Sequence, residues 1–318
     1  MEPIELTVDQ PYGDLLEYLA GALPDVPLNV LRRLIARGRV EADGRRVAHD
    51  FAPQAGQQMV VHLPETPFVH YEPQEMPLEV LYESADALVV SKPAGITVLP
   101  EQGSLEARLI NGLLHYVRNA SPFPCVRVHV VHRLDRGTSG ALIFAKTVAA
   151  ARHLSSCFEE RRVLKHYLAL VRGEVATEEG EVDLPIAQHT RGRMRLRRRR
   201  GRPASSRYRV VERFRGFTLV QVQPLTGRMH QVRLHMSGIG HPLAVDPLYG
   251  GREALFLSEI KPGYRKRRER PESPLIARLT LHAQRLALDL PDGERLDVEA
   301  PLPRDLERLL TVLRKYAK

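Results

Sequence analysis

A single carboxylate between two arginines marks the position in this chain where chemistry is most expected. Asp135 lies in the polar loop HRLDRG, with Arg133 and Arg136 on either side of it. Nearby opposite charges favour the ionised form of a carboxylate, and an ionised aspartate can act as a covalent nucleophile. The loop therefore predicts an active site at Asp135, although the same residues in a turn could also form an ordinary surface ion pair.

Two apolar segments would hold this loop in place. Residues 126–131 and 141–145 are predicted strands before and after it, and Gly137 and Gly140 allow a tight turn between them. The order strand, loop, strand places Asp135 at the end of a sheet.

A helix and a third strand follow in the sequence. Thr147 is a suitable N-cap for a helix over residues 148–161. In the next apolar segment, LKHYLALVRGEV, alternation places Tyr167 on the same face as Ala169 and Val171. Taken alone, Tyr167 is best explained as an aromatic residue of the core or sheet surface.

A basic segment further along the chain, GRMHQVR, contains Arg233. Thr226 is a suitable N-cap for a helix over residues 228–238, which would place Arg233 close to the buried face. An ordinary explanation for Arg233 is an ion pair with a structural carboxylate. Asp246 follows a short apolar run and precedes a proline, so we expect it to be structural. Three residues of the helix are expected to face the core: Met229, Val232 and Met236.

These segments together resemble the RluA-type pseudouridine synthases, which isomerise uridines mainly in large-subunit ribosomal RNA. HRLDRGTSGALIFAKT resembles the family signature, KPAG (residues 92–95) its first block, and GRMHQVR a later block. The resemblance implies that Asp135 is the catalytic carboxylate, that Tyr167 packs against the target base, and that Arg233 pairs with Asp135. It also implies RNA contacts, for which the candidates are Arg133, Arg136, Arg228 and His230.

Composition agrees with an RNA partner. The 318 residues carry a net charge of +9, which favours binding to polyanions. The sequence has no phosphate-binding P-loop, dinucleotide fingerprint or HExxH pattern, and its two cysteines lack CxxC spacing, so we expect neither a cofactor nor a metal. The expected substrate is ribosomal RNA, with transfer RNA as the alternative.

Two other classes of protein share some of these sequence features. A catalytically silent RNA-binding or ribosome-assembly factor could use the same basic surfaces, but the presence of Asp135, Tyr167 and Arg233 favours an enzyme. A metal-dependent nuclease would need clustered carboxylates, which the segments around Asp135 do not offer.

The N-terminal residues predict a small unit of two helices and three strands. The helices are expected over residues 14–20 and 28–37, the second ending at Gly38, and an Asp43-Gly44 turn joins two of the strands. This unit resembles the RNA-binding module named after a small-subunit ribosomal protein, although Tyr12-Gly13-Asp14 replaces the usual arginine before the first helix. Three residues of the second helix are outward-facing candidates for RNA contact, although a solvated face would look the same: Arg32, Arg33 and Arg37.

The predicted organisation is a small RNA-binding domain (residues 1–64), a proline-containing linker (65–77) and a catalytic domain (78–318). The resemblance implies an α+β fold, with a mixed, mainly antiparallel sheet, a central cleft and a flexibly attached N-terminal αβ domain. Arginine-rich runs at residues 191–202 and 261–270 are expected to be solvated loops or hairpin tips that bind the RNA backbone. We expect a cytoplasmic monomer with no membrane span.

Overall fold

The computed structural model describes residues 3–24, 26–63, 71–99, 108–125, 127–189, 193–197, 199–265 and 271–318. Within these ranges, no helix is long and apolar enough to cross a bilayer. The strands form a small N-terminal sheet, a large sheet and a separate two-stranded hairpin.

The N-terminal module contains two helices and one antiparallel sheet. Its elements are β1 (Ile4–Thr7), α1 (Leu15–Ala22), α2 (Leu28–Ala36), β2 (Val40–Ala42), β3 (Arg45–Arg46) and β4 (Gln58–Val61). The strand order is β1-β4-β2-β3, so β1 is an additional strand that the sequence did not predict. Helix α1 begins after Asp14, whose carboxylate accepts a hydrogen bond from the Glu17 amide. Helix α2 is followed by Gly38 at φ +61°, which confirms the predicted end.

The module is packed against the rest of the chain, which differs from the flexible attachment that the resemblance implies. The Arg127 guanidinium donates hydrogen bonds to the carbonyls of Leu23 (2.7 Å) and Val26 (2.9 Å), just beyond the end of α1. Arg152 forms an ion pair with Asp14, and Val148 is buried in the apolar core of the module. Carbonyls at a helix end need partners from outside the helix, and Arg127 supplies them here.

The large sheet is mixed and mainly antiparallel, which confirms the predicted fold class. Its strands run in the order β10-β13-β14-β9-β15-β8-β6-β5, with β16 beside β15 and β7 beside β8. Only the β15–β8 pair is parallel among the described strands. The elements are β5 (Glu79–Glu83), β6 (Ala87–Lys92), α3 (Leu109–Asn119), β7 (His129–Val130), β8 (Ser139–Ala145), α4 (Val148–Glu159), β9 (Leu164–Arg172), β10 (Glu179–Asp183), β11 (Ile186–Gln188), β12 (Met194–Leu196), β13 (Ser205–Phe214), β14 (Phe217–Pro224), α5 (Gln231–Gly238), β15 (Leu281–Asp289), β16 (Arg295–Glu299) and α6 (Arg304–Tyr316).

Strands β8 and β9 lie in the middle of the core. The polar loop with Asp135 leads into β8, and Tyr167 lies on β9. All residues of β8 are buried; Ile143 packs with α4, while Phe144 packs with α3. On β9, Ala169 packs with α5, while Leu170 packs with α6. Burial on both faces fixes the strands that lead into the polar loop and into Tyr167.

Several predicted boundaries change. Strand β7 is shorter than the predicted 126–131, of which residue 126 lies outside the described residues. Helix α4 is capped by Thr147, as predicted, and ends at Glu159. Helix α5 begins at Gln231 rather than at residue 228.

The described part of the predicted linker, residues 71–77, contains no helix or strand, and residues 65–70 lie outside the described residues. The Gln74 amide donates a 3.1 Å hydrogen bond to the Asn111 carbonyl on α3. Tyr71 and Met76 pack against the core around α3. This segment is therefore held along the catalytic part of the chain.

Candidate active site

A cleft of about 620 Å³ brings the three predicted catalytic residues together. Asp135 reaches it from the loop before β8, Tyr167 from β9, and Arg233 from α5. Gly140, at φ +118°, allows β8 to approach the Ala283 backbone, because an added Cβ would lie 2.1 Å from the Ala283 carbonyl oxygen. The sheet thus holds the loop close to β15.

Arg233 joins the loop to a second carboxylate. Its Nη1 donates to Asp135 Oδ2 at 3.0 Å, while its Nε and Nη2 donate to Oδ2 and Oδ1 of Asp246 at 2.8 Å each. The side chains of Arg233 and Asp246 are 5% and 1% exposed, whereas that of Asp135 is 23% exposed. Asp246 is structural, as expected, and it fixes the direction in which Arg233 presents Nη1 to Asp135.

The start of α5 differs from the prediction because the side chain of Gln231 binds the residues that were expected to begin the helix. Its Oε1 accepts hydrogen bonds from the Arg228 amide (3.0 Å) and the Thr226 hydroxyl (2.7 Å). His230, just before the helix, has φ +57°, a left-handed conformation uncommon for a residue with a side chain. This turn leaves Met229 outside the helix, while Val232 and Met236 are buried as predicted.

His230 lies beside the carboxylate. Its Nε2 is 3.8 Å from Asp135 Oδ1, and its Nδ1 is 2.7 Å from the Tyr249 hydroxyl. Burial lowers the pKa of His230, with the Asp135 charge acting in the opposite direction. A neutral imidazole next to Asp135 can exchange hydrogen bonds without adding a full positive charge.

Lys92 contacts the loop that contains Asp135, and the sequence did not predict this contact. Its buried ammonium donates to the carbonyls of Pro93 (2.9 Å), Ile96 (2.8 Å) and Arg136 (3.3 Å). Gly95 also exchanges two hydrogen bonds with Arg136, through its amide and its carbonyl. Burial lowers the pKa of Lys92 to about 7, although the nearby Asp135 charge raises it. The KPAG segment therefore fixes the residue that follows Asp135.

Tyr167 is a neutral phenol in this cleft. Burial raises its pKa, and the charge of Asp135 raises it further. Its ring packs with the cluster that contains Ala169 and Val171, so the predicted common face of β9 is confirmed. The ring is therefore packed against the core and also lines the cleft.

The predicted RNA-binding residues fall into three places. Arg133, Arg228 and His230 line the cleft. Arg136 is exposed, and its Nε donates to the Gly95 carbonyl. The remaining three residues are exposed on the N-terminal module, as predicted: Arg32 and Arg33 lie on α2, and Arg37 directly follows it.

The arginine-rich run at residues 191–202 contains β12, which pairs with β11 as a hairpin. Leu196 and Met194 pack in a small cluster with Leu234 of α5, and the Met194 amide donates to the Tyr249 hydroxyl at 3.1 Å. The hairpin is thus anchored on the helix that carries Arg233. Its described arginines are exposed, namely Arg193, Arg195, Arg197, Arg199, Arg200 and Arg202; residues 190–192 and 198, and residues 266–270 of the second basic run, lie outside the described residues.

Among the residues that the structure describes, no group of three or more histidine, cysteine, aspartate or glutamate side chains is placed to hold a metal ion. Asp135, which lines the cleft, is paired with Arg233, and the same arginine is paired with the buried Asp246 behind the lining. The cleft is organised around an arginine and not around a cluster of acids.

Comparison with known proteins gives a consistent set of relatives. Residues 86–238 match the model of the RNA pseudouridylate synthase family. The chain is 34% identical to an uncharacterized RNA pseudouridine synthase of Bacillus subtilis, over 99% of both chains. It is 37% identical to ribosomal large subunit pseudouridine synthase D of Pseudomonas aeruginosa, over 95% of this chain and 93% of the relative. The solved human RNA pseudouridylate synthase domain containing 4 is 25% identical, with a TM-score of 0.58, covering 74% of this chain and 93% of that one.

Proposed function

Because the chain belongs to the RNA pseudouridylate synthase family, we propose that it converts specific uridines of large-subunit ribosomal RNA to pseudouridine, with Asp135 as the catalytic carboxylate. The protein is an isomerase acting on RNA. The proposal of a ribosomal substrate is supported by relatives named ribosomal large subunit pseudouridine synthase D. The observation that supports the role of Asp135 best is its 3.0 Å contact with the buried Arg233 in the central cleft.

The reaction rearranges bonds within one nucleotide. The bond between uracil N1 and ribose C1′ breaks, the base rotates, and C5 of the base bonds to C1′. The proton on C5 is then lost and N1 gains one, so the atoms balance without a co-reactant. Asp135 starts this sequence by attacking C1′ or by removing a proton from the sugar; either route uses its ionised form.

The neighbours of Asp135 have separate tasks in this proposal. Arg233 orients the carboxylate, because Asp246 fixes the other edge of its guanidinium. The ring of Tyr167 packs against the uracil, which must leave its stacked position to enter the cleft. Its neutral hydroxyl relays the C5 proton: the phenol oxygen accepts that proton as the phenol gives its own proton to water, which supplies the proton that N1 gains.

The basic surfaces in and around the cleft bind the RNA backbone without reading its sequence. They are the cleft rim with Arg133 and Arg228, the β11–β12 hairpin, and α2 of the N-terminal module. We propose that this module is an RNA-binding domain at residues 1–64, and that a linker at residues 65–77 joins it to the catalytic domain at residues 78–318. We propose a monomer as the working unit, because Asp135, Tyr167 and Arg233 meet in one cleft without a residue from a second copy. A ribosomal substrate would place the protein in the cytoplasm.

The test is a comparison of wild type and Asp135→Asn on large-subunit ribosomal RNA, with pseudouridines mapped after a single turnover. We expect a loss of turnover on the order of a thousandfold or more, with filter-binding affinity nearly unchanged. Asp297→Asn is a matched control, because Asp297 is a half-exposed partner of Arg285 outside the cleft. Wild-type turnover in Asp135→Asn would remove Asp135 from the mechanism, and no modification of ribosomal RNA by the wild type would favour transfer RNA or a silent binding factor.

A further inference from the structure

The cleft extends beyond the three residues of the proposed catalytic site. Its lining continues to Phe158, Glu159 and Arg161 at the end of α4, and to Lys165 on β9. Lys165 precedes Tyr167 by two positions, so their side chains share one face of the strand, about 6.6 Å apart along it. The surface beside Tyr167 therefore carries a cation.

The Lys165 side chain is shielded from water but forms no ion pair with a described carboxylate. It is partly buried, and within the described residues its ammonium has no hydrogen bond or ion pair. Its one described contact is with the Phe158 ring, whose centroid lies 5.6 Å from Nζ. Burial lowers the pKa of Lys165 to about 8. A cation–π contact does not replace the hydrogen bonds that water gave the ammonium, so an incoming anion would restore them.

The Phe158 ring that contacts Lys165 is itself held in place by His132. The Phe158 ring stacks on His132 at a centroid distance of 4.4 Å, and His132 Nε2 accepts the Ile143 amide of β8 at 3.1 Å. Burial and the neighbouring charge of Lys165 lower the pKa of His132 to about 3, so it remains neutral. His132 is thus a support for this end of the cleft.

Arg161 supplies a second cation from a backbone position that suits glycine. The Arg162 amide donates to the Cys157 carbonyl (2.8 Å), and the Arg161 amide donates to the Phe158 carbonyl (3.3 Å). This is the hydrogen-bond pattern of a Schellman C-cap. Arg161 takes its left-handed position with φ +60° and lines the cleft, whereas the adjacent Arg162 forms an ion pair with Glu160.

We propose that Lys165 and Arg161 form a subsite for a backbone phosphate of a nucleotide that flanks the target uridine. That the base beside Tyr167 is the target uracil rests on the proposed function. The subsite itself rests on two cations in one cleft without a described carboxylate partner, one of them two residues from Tyr167.

The direct test uses RNA heptanucleotides with one central uridine, each with a single flanking phosphodiester replaced by a neutral methylphosphonate. We expect wild type to lose about tenfold in affinity at one linkage, as for a hydrogen bond to a charged group. Lys165→Gln should bind the unmodified RNA about tenfold more weakly and lose no more at that linkage. Lys315→Gln, which removes an exposed lysine of α6, should behave as wild type.

Two results would overturn the subsite. In the first, Lys165→Gln loses the same factor in affinity as wild type at every methylphosphonate linkage, so that the two changes act independently. In the second, wild type and Lys165→Gln bind the unmodified RNA equally well. Arg161→Gly adds a readout that a purely structural role would not give: we expect a higher melting temperature, because glycine is unstrained at this φ, together with weaker RNA binding. A linkage effect without any pseudouridine formation on ribosomal RNA would retain the subsite and reject the proposed function.

Discussion

Arg233 and Asp246 form an ion pair through two hydrogen bonds of 2.8 Å, and both side chains are almost fully buried. Asp246 is itself fixed, since its Oδ1 accepts the amides of Leu248 (2.9 Å) and Tyr249 (3.1 Å). The guanidinium also lies 4.9 Å from the Tyr249 ring centroid. The tight loop after α5 therefore sets the position of the cation that faces Asp135.

Asp246→Asn is expected to reduce both stability and turnover. The amide keeps the shape of the side chain but removes the charge that balances buried Arg233, a loss of about 3–5 kcal/mol in unfolding free energy for a buried pair. Without its second anchor, Arg233 would orient Asp135 poorly, and we expect the turnover rate to fall about tenfold to a hundredfold. Urea unfolding and single-turnover pseudouridine formation measure the two effects. Asp297→Asn should change neither, and unchanged turnover in Asp246→Asn would show that Arg233 needs no second anchor.

Local patterns were sufficient to predict much of the fold. Helix α2 followed from its apolar spacing and Gly38, and α4 from Thr147, because both signals act within a few residues. The common face of Tyr167 and Ala169 followed from strand alternation. These features depend on near neighbours, which the sequence contains.

The missed features depend on contacts between distant segments. Asp246 was expected to be structural, but its pairing with Arg233 required knowing that the loop returns to α5. In the sequence Lys92 stands out only as part of KPAG, and its hydrogen bond to the Arg136 carbonyl depends on the pairing of β6 with β8. The start of α5 was misplaced because Gln231 makes the local hydrogen bonds that were assigned to Thr226. The pairing of distant segments sets these positions, and the periodicity of the sequence does not predict that pairing.

Tyr167→Phe separates the ring from the hydroxyl. Because burial and Asp135 raise the pKa of Tyr167, the wild-type residue enters the reaction as a phenol. We expect Tyr167→Phe to keep RNA affinity through its ring and to lose about a hundredfold or more in single-turnover rate, the usual range for general acid–base groups. Tyr316→Phe, at the end of α6 and outside the cleft lining, is the control. A wild-type rate in Tyr167→Phe would limit this residue to packing against the base.

RNA affinity should decrease as the pH rises through the pKa of Lys165, which burial lowers to about 8. Below that pH the ammonium is charged and binds the flanking phosphate; above it the neutral amine does not. The lowered pKa means that the folded state releases this proton before the unfolded state, so stability gains from Lys165 as pH rises from about 8 toward the ordinary lysine value. The other titratable or charged groups lining this end of the cleft are His132, Glu159 and Arg161.

The measurement is fluorescence anisotropy of the unmodified heptanucleotide between pH 6.5 and 9. We expect about a tenfold loss for wild type over this range, as for the removal of one charged hydrogen bond. Lys165→Arg should bind without this pH dependence, because a guanidinium stays protonated. An identical pH profile in the two proteins would assign the titration to another group.

The three exposed arginines at α2, two on the helix and one directly after it, are expected to contribute to RNA affinity and not to the chemical step. Replacing Arg32, Arg33 and Arg37 by glutamine should weaken binding to large-subunit ribosomal RNA and reduce the slope of log affinity against log salt by roughly 2–3, since each phosphate contact contributes about 0.7–0.9. The single-turnover rate at saturating RNA should be unchanged. The matched control removes three exposed charges from α6: Arg304→Gln, Arg308→Gln and Lys315→Gln. Equal salt slopes in both triple variants would show that α2 is only a solvated face, and a reduced saturating rate in the α2 variant would show that the module helps to form the active site.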